Sequence, residues 1–418
     1  MKKTRLATGA AALVVMGGLV AGCGSPSSNS TNSSGSTTSG SLPKGQTITV
    51  WSWAGGPQLQ DVKKIADAWA KKHGDTVKVV DESHNANGFQ FYATAARSGK
   101  GPDIVFGMPH DNNGTFAEEG LMAPVPSGDI NTSNYAQSVV DAVTVNGTIY
   151  SVPVSVQTTA LFYNTSKIKT PPTNWTQFVS DANKYGFAYA QHNLYFNYAF
   201  VGGLGGYVFK DNNGTLNPND IGLDNAGAIK AYQLMYDMDH KYHWMQPSLT
   251  GTIALSQFTS GKTAMYISGP WDVPNIQKAK IPFSIAPLPT LSNGHPMTPF
   301  LGVITAFVSS KSPNQPADWS LVKALTNSTA QMDYFNDSQQ IPALTSLQQS
   351  STIQSSPMFK AFADEIPNAV PMPNIPQMQA VWNAMSILKN IISGQVSPAQ
   401  GGKDFVANIQ KGIQVQGS

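Results

Sequence analysis

Residues 47–53, TITVWSW, alternate apolar and polar side chains and are rich in β-branched and aromatic types, the period-two pattern of a half-buried strand. The period then lengthens. After Pro57, the residues Leu59, Val62, Ile65 and Trp69 recur on one face of a helix. Lys71, Lys72, His73 and Gly74 follow, with the cations and the glycine that a helix C-terminus favours. TVKVV (76–80) predicts a second strand, FQFYATAARS (89–98) a helix, and DIVFGM (103–108) a third strand. This β-α-β-α-β order implies an α/β fold with a mostly parallel sheet, right-handed crossovers and helices on both faces. In such sheets ligands bind on the loops beyond the carboxyl ends of the strands.

A second unit follows YSVPVSVQTTALFYN (150–164), which reads as an extended crossing segment. Helical spacing returns in NWTQFVSDANKYG (174–186) and NAGAIKAYQLMYDMDHKYH (225–243). In KTAMYISGPWD (262–272) an apolar run ends in a Gly-Pro turn, and Trp271 comes immediately after it. Either that large ring folds back into a core or a ligand covers it. PFLGVITAFVSS (299–310) is strand-like and could cross back. QMQAVWNAMSILKNIISG (377–394) and DFVANIQKGI (404–413) predict closing helices.

The chain start changes the picture from a plain globular protein. Lys2, Lys3 and Arg5 precede Leu6–Val20, which is apolar or small and has no acidic residue. Residues 1–22 therefore read as a secretory signal peptide, too short for a retained transmembrane helix. The signal ends in LVAGC (19–23), similar to the lipobox of bacterial lipoproteins, in which the cysteine carries the lipid. Cys23 is the only cysteine of 418 residues, so no intrachain disulfide or thiolate metal site is possible. Residues 23–45 are Ser, Thr and Gly-rich and nearly uncharged, a tether with a root-mean-square reach of about 25 Å. The expectation is a secreted, lipid-anchored protein at the extracellular face of the membrane, long enough for two domains.

Charged residues make up 12% of the chain, against about 25% in ordinary soluble domains. Removing the leader with its three cations turns a slight positive excess into a slight negative one. No basic patch points to nucleic acid. A surface solvated by amides and hydroxyls suits an acidic medium, although lineage composition gives the same signature.

Catalytic and cofactor signatures are weak. His240 and His243 lack the i, i+4 spacing of a helical metal pair, and GGLGG (202–206) lacks the third glycine of a dinucleotide fingerprint. There is no G-x-S-x-G or Walker motif. Glu118 and Glu119 are adjacent and point apart, whereas glycosidase carboxylates face each other across a bond. We therefore expect no enzyme activity, no cofactor and no metal.

Four stretches carry a family resemblance: GKGPDIVFGMPHDNNGTFAEEGLMAPV (99–125), YNTSKIKTPPTNWTQF (163–178), GKTAMYISGPWD (261–272) and MPNIPQMQAVW (372–382). Over about 46–415 the chain resembles the solute-binding proteins of bacterial ABC importers, and among them the maltose/maltodextrin-binding proteins. That resemblance implies two α/β lobes with a sugar cleft between them. The first lobe would comprise about 46–157 plus 305–355, the second about 158–304 plus 356–418. It implies a monomer that binds maltose or maltodextrin and delivers it to a membrane permease.

The resemblance also assigns site residues. Trp271 and Trp382 match the family's stacking tryptophans, and Tyr195 matches an aromatic between them. A ring suits the apolar C–H face of a pyranose, and amides or carboxylates suit its hydroxyl rim. Asp111, after His110, matches the family's hydroxyl-binding aspartate. Asn112 stands where relatives have arginine, and Met108 where they have an aromatic. The family's lysine after the first strand is missing, and Trp53 offers a ring there instead. Gln157 and Asn193 replace two glutamates. The other tryptophans, Trp51, Trp69, Trp175, Trp244 and Trp319, read as packing residues. The competing readings are another oligosaccharide such as trehalose on the same fold, a sugar phosphate, and a lipid-anchored glycosidase.

Overall fold

The computed structural model describes residues 44–416 except 86 and 213. The expected signal peptide, Cys23 and nearly all of the tether lie outside the described residues. Two lobes are built on two sheets. The first sheet takes strands β1 (Thr47–Ser52), β2 (Thr76–Asp81), β3 (Ile104–Pro109) and β4 (Val152–Gln157) from the first part of the chain. The second takes β5 (Ala160–Asn164), β6 (Phe187–Tyr189), β7 (Met265–Ser268) and β8 (Phe283–Ala286). The chain then returns through β9 (Phe300–Val308), β10 (Ile341–Pro342) and β11 (Val370–Pro371). The strand orders are β10-β4-β9-β3-β1-β2, with β11 beside the start of β9, and β8-β5-β7-β6.

The expectation of mostly parallel sheets holds for β1, β2 and β3, which pair in parallel through intervening helices. It gives way where the chain changes lobe. β9 runs antiparallel to both β3 and β4, and β5 antiparallel to β7 and β8. A strand arriving from the other lobe needs no helical crossover on its own sheet, so nothing forces it to be parallel. Thr158 and Thr159, both buried, are the whole link between β4 and β5.

Local chemistry explains the helix ends. The first helix, Gly56–His73, stops at Gly74, whose φ of 76° lets its N–H reach the Ala70 carbonyl. Asn174 and Asn225 cap the helices Trp175–Tyr185 and Ala226–His240 through their side-chain oxygens. The single helix expected over 377–394 is two, Met378–Ala384 and Ile387–Ile392. Met385, between them, and Leu388 and Lys389, at the start of the second, donate to the carbonyls three residues back, which tightens the chain and interrupts the α-helical register.

In the first lobe Ile48 and Val50 pack with Val62, Ala66 and Trp69 on one side of the sheet. Tyr92, Phe116 and Phe307 pack on the other. The second lobe is richer in rings, with Phe162, Phe178, Phe187, Tyr189, Phe200 and Phe258 all fully buried. Trp69, Trp244 and Trp319 are core residues, while Trp51 and Trp175 are half-buried. Among the described residues no helix is long and apolar enough to cross a membrane.

Candidate functional site

Strand β7 is buried along its whole length and delivers the chain to Gly269. Pro270–Asp272 then forms a single 3-10 turn. Asp272 pins that turn, accepting from the Tyr266 hydroxyl at 2.7 Å and from Ser268 Oγ at 2.6 Å. A Cβ on Gly269 would sit 2.1 Å from the Trp271 ring, so glycine is what allows the indole to lie back across the turn. Trp271 remains half-exposed, with Tyr195 at 5.9 Å and Phe196 at 6.2 Å between ring centres.

Tyr195 lies in the first turn of the helix Leu194–Gly203. Its hydroxyl donates to the Gln157 carbonyl at 3.4 Å, linking the second lobe to the end of β4. Burial, with a further contribution from the carboxylate of Asp111, raises its hydroxyl pKa. Phe300, at the start of β9, lies 6.1 Å from Tyr195 and 6.2 Å from Trp382. It is fixed by parallel stacking on Tyr198 at 3.8 Å. Trp271, Tyr195, Phe300 and Trp382 therefore form one continuous row of rings.

The polar side comes from the turn His110–Asn112 at the carboxyl end of β3. His110 is fully buried. Its Nδ1 accepts from the Val303 N–H at 3.0 Å, which leaves Nε2–H to donate to the Met372 carbonyl at 2.9 Å. Burial pushes its pKa down to about 4, so the ring is neutral and acts as a fixed two-ended linker. Asp111 Oδ2 accepts from the Trp382 indole N–H at 3.1 Å, so the aromatic row and the polar turn meet directly. Burial raises the Asp111 pKa, and the indole bond offsets part of that rise. Asn112 Oδ1 accepts from Gln379 Nε2 at 3.1 Å. Asp111 Oδ1 and Asn112 Nδ2 are buried without a hydrogen-bond partner. Buried polar atoms are rarely left unpaired, because each costs about 1–3 kcal/mol.

A cavity of about 400 Å³ is lined by Trp53, Gln58, Gln157, Pro274, Asp337 and Gln340, among others. The Trp53 ring rests on Gly88, where a Cβ would fall 2.1 Å from the indole nitrogen, and that buried nitrogen has no partner. Gln157 Nε2 donates to Gln340 Oε1 at 3.3 Å.

Of the eight expected ligand-facing residues, Trp271, Tyr195, Trp382, Asp111 and Asn112 are joined by ring contacts and hydrogen bonds, while Gln157 and Trp53 line the cavity and connect to them through the Tyr195–Gln157 bond. Asn193 is different in kind. Its Oδ1 caps the helix by accepting from the Tyr195 N–H at 2.9 Å, which leaves only its amide nitrogen to offer elsewhere. Sequence reasoning did not single out Phe300, Gln340 or Gln379. Phe300 opens a strand and reads as core, and the two glutamines carry no spacing signal. Among the described residues no group of three or more His, Cys, Asp or Glu is placed to hold a metal ion.

The arrangement of rings and amides with the Asp111 and Asp337 carboxylates can hold a polyhydroxylated ligand, and comparison with known proteins agrees. A family described as bacterial extracellular solute-binding protein matches residues 56–332. The chain is 31% identical over 407 residues to the galactooligosaccharide-binding protein of Bacillus subtilis (strain 168), covering 94% of this chain and 93% of that one. It is 30% identical to the maltodextrin-binding protein MdxE of the same organism, covering 84% and 87%. Among solved structures, the maltose-maltodextrin binding protein of the thermoacidophilic bacterium Alicyclobacillus acidocaldarius is 68% identical. It superposes with a TM-score of 0.84, covering 87% of this chain and all of that one.

Proposed function

The chain belongs to the bacterial extracellular solute-binding protein family, and on that premise we propose that it captures maltose and maltodextrins for an ABC importer. The observation that carries this reading is the junction of Trp382 with Asp111. A row of rings able to stack on pyranose faces ends against an unpaired buried carboxylate oxygen and an unpaired amide donor. Sugar hydroxyls would satisfy both groups. In this reading Trp271, Tyr195 and Trp382 stack on the sugar, and Asp111, Asn112, Gln157 and Trp53 bind its edges. Asn193 contributes its amide nitrogen.

The lobes in this reading are about 46–157 plus 305–355 and about 158–304 plus 356–418, hinged at the crossings and closing on ligand. The monomeric protein would be held outside the cell by lipid on Cys23 and would pass sugar to a permease without altering it. Gln157 and Asn193 are amides, Asp111 bonds to an indole, and the further carboxylate of the cavity lining is Asp337.

Calorimetric titration with maltose, maltotriose, trehalose and a galactooligosaccharide tests this proposal. Binding of the α-1,4-linked glucans without the others, and no shortening of maltotriose on incubation, is the expected result. Preference for the galactooligosaccharide would favour a second reading, supported by the relative that matches 94% of the chain. Cys23→Ser should release a sugar-binding protein from the cells. Retention of that variant with membranes would remove the lipid anchor from the reading.

A further inference from the structure

Alternation along β1 buries Ile48, Val50 and Ser52 on one face and leaves Trp51, with Trp53 just past the strand end, half-exposed. Trp53 lines the cavity. Trp51 stands 6.3 Å from it on the same face, and Phe91 stacks on Trp51 at 4.9 Å with the planes 18° apart. Phe91, on the helix Gly88–Arg97, is 42% exposed. Among the described residues the exposed large hydrophobic side chains are Phe91, Ile253 and Val415, and Phe91 is the aromatic one. A single exposed apolar side chain is ordinary. This one belongs to a row of three rings running out of the cavity in steps comparable to the length of one pyranose. Gln90 and Thr94, exposed and uncharged, flank it with amide and hydroxyl groups.

We propose that the site continues past the cavity along Trp53, Trp51 and Phe91, and that Phe91 stacks the overhanging end of an α-glucan too long for the cavity alone. The inference rests on the maltodextrin reading above. Its physical basis is continuity. Trp51 and Phe91 continue the line of rings from Trp53, and the helix that carries Phe91 has Arg97 as its only ionic residue. Each stacked ring adds contact area at low cost in side-chain entropy. A short ligand ends before reaching Phe91 and gains nothing from it.

The test compares maltotriose with maltoheptaose by calorimetry in the full protein and in Phe91→Ser and Phe91→Trp. Wild type should bind maltoheptaose more tightly than maltotriose. Phe91→Ser should weaken maltoheptaose by roughly three- to tenfold, the range of one aromatic stacking contact, and maltotriose by less than about twofold. Phe91→Trp should retain the preference for the longer chain, which also controls for misfolding of the serine variant. Equal losses for both sugars, or no loss for either, would overturn the proposal while leaving maltodextrin binding intact. A wild type that binds neither sugar would overturn the underlying reading and this one with it.

Discussion

The two walls of the site are built on opposite principles. The second lobe offers rings held by other rings: Trp271 beside Tyr195 and Phe196, and Trp382 against Phe300. The first lobe offers a polar turn held by directed hydrogen bonds, with the neutral His110 ring bonded at both nitrogens and Asp111 and Asn112 each bonded on one side only. Rings tolerate a ligand that slides or lengthens, because stacking is weakly directional. Paired donors and acceptors fix position. On the proposed reading, affinity should belong mainly to one wall and register mainly to the other, and substitution should separate the two.

The largest effect expected is from the aromatic wall. Trp271→Ala and Trp382→Ala should each weaken maltodextrin binding by about 2 kcal/mol or more, as buried aromatic hot spots do. Trp382→Ala should be the worse, because it also strips Asp111 of its donor. Trp382→Phe sharpens the point by keeping a ring and losing only the N–H. Calorimetry that finds either alanine variant unchanged would take that residue out of the wall.

Next comes the polar wall. Asp111→Asn should cost about 1.5–3 kcal/mol, the range for hydrogen bonds to a charged group. It should also remove the part of the pH dependence of binding that Asp111 carries, since Gln157 and Asn112 do not titrate. A variant as pH-dependent as wild type would show that another group governs the register.

A third expectation separates the walls from the scaffold behind them. Burial raises Asp318 to about 7 and Glu365 to about 8. Burial, reinforced by the neighbouring Asp337 carboxylate, raises Asp61 to about 6. These folded-state values exceed the unfolded ones, so the stability tied to each proton is complete below about pH 4 and is lost as pH rises through the raised value. His110 has the opposite sign, and its contribution is lost as pH falls from about 6.5 through about 4. The melting temperature should be higher at pH 5 than at pH 8 by roughly 5 °C. Glu365→Gln should flatten the alkaline part of that decline. A profile flat from pH 5 to 8 in wild type would contradict the assignment.

The smallest effect concerns Asn193. Asn193→Ala removes a helix cap and should lower stability by about 1 kcal/mol. If its amide also meets sugar, affinity falls as well, and urea unfolding beside calorimetry distinguishes the two roles.

Much of this was legible in the sequence. Alternation and helical period located β1, β2, β3, β7 and the first helices, and the Gly-Pro turn raised the question of what covers Trp271, which is half-exposed in the structure. Other features leave no local trace. The helix Leu194–Gly203 is buried nearly all round, so it has no amphipathic period to read. Gln340 reaches Gln157 across 183 residues of chain. The direction of β9 depends on the lobe it comes from, which its own nine residues do not encode.

With the lobes as proposed, the bonds that span them include Trp382 to Asp111, Gln379 to Asn112, Tyr195 to Gln157, His110 to Met372, Gln339 to Gln277 at 3.2 Å, and Asn374 to the carbonyls of Asp141, Ala142 and Thr144. None is an ion pair. Among the described residues the three ion pairs, Arg97–Glu119, Lys323–Asp129 and Lys360–Asp364, each lie within one lobe and toward its surface. Dissolved salt weakens attraction between exposed charges over about 10 Å at 0.1 M, but it has little hold on short, buried hydrogen bonds. Closure of the two lobes should therefore proceed as readily in brine as in fresh water, and the protein can grip its cargo without regard to the ionic strength outside the cell.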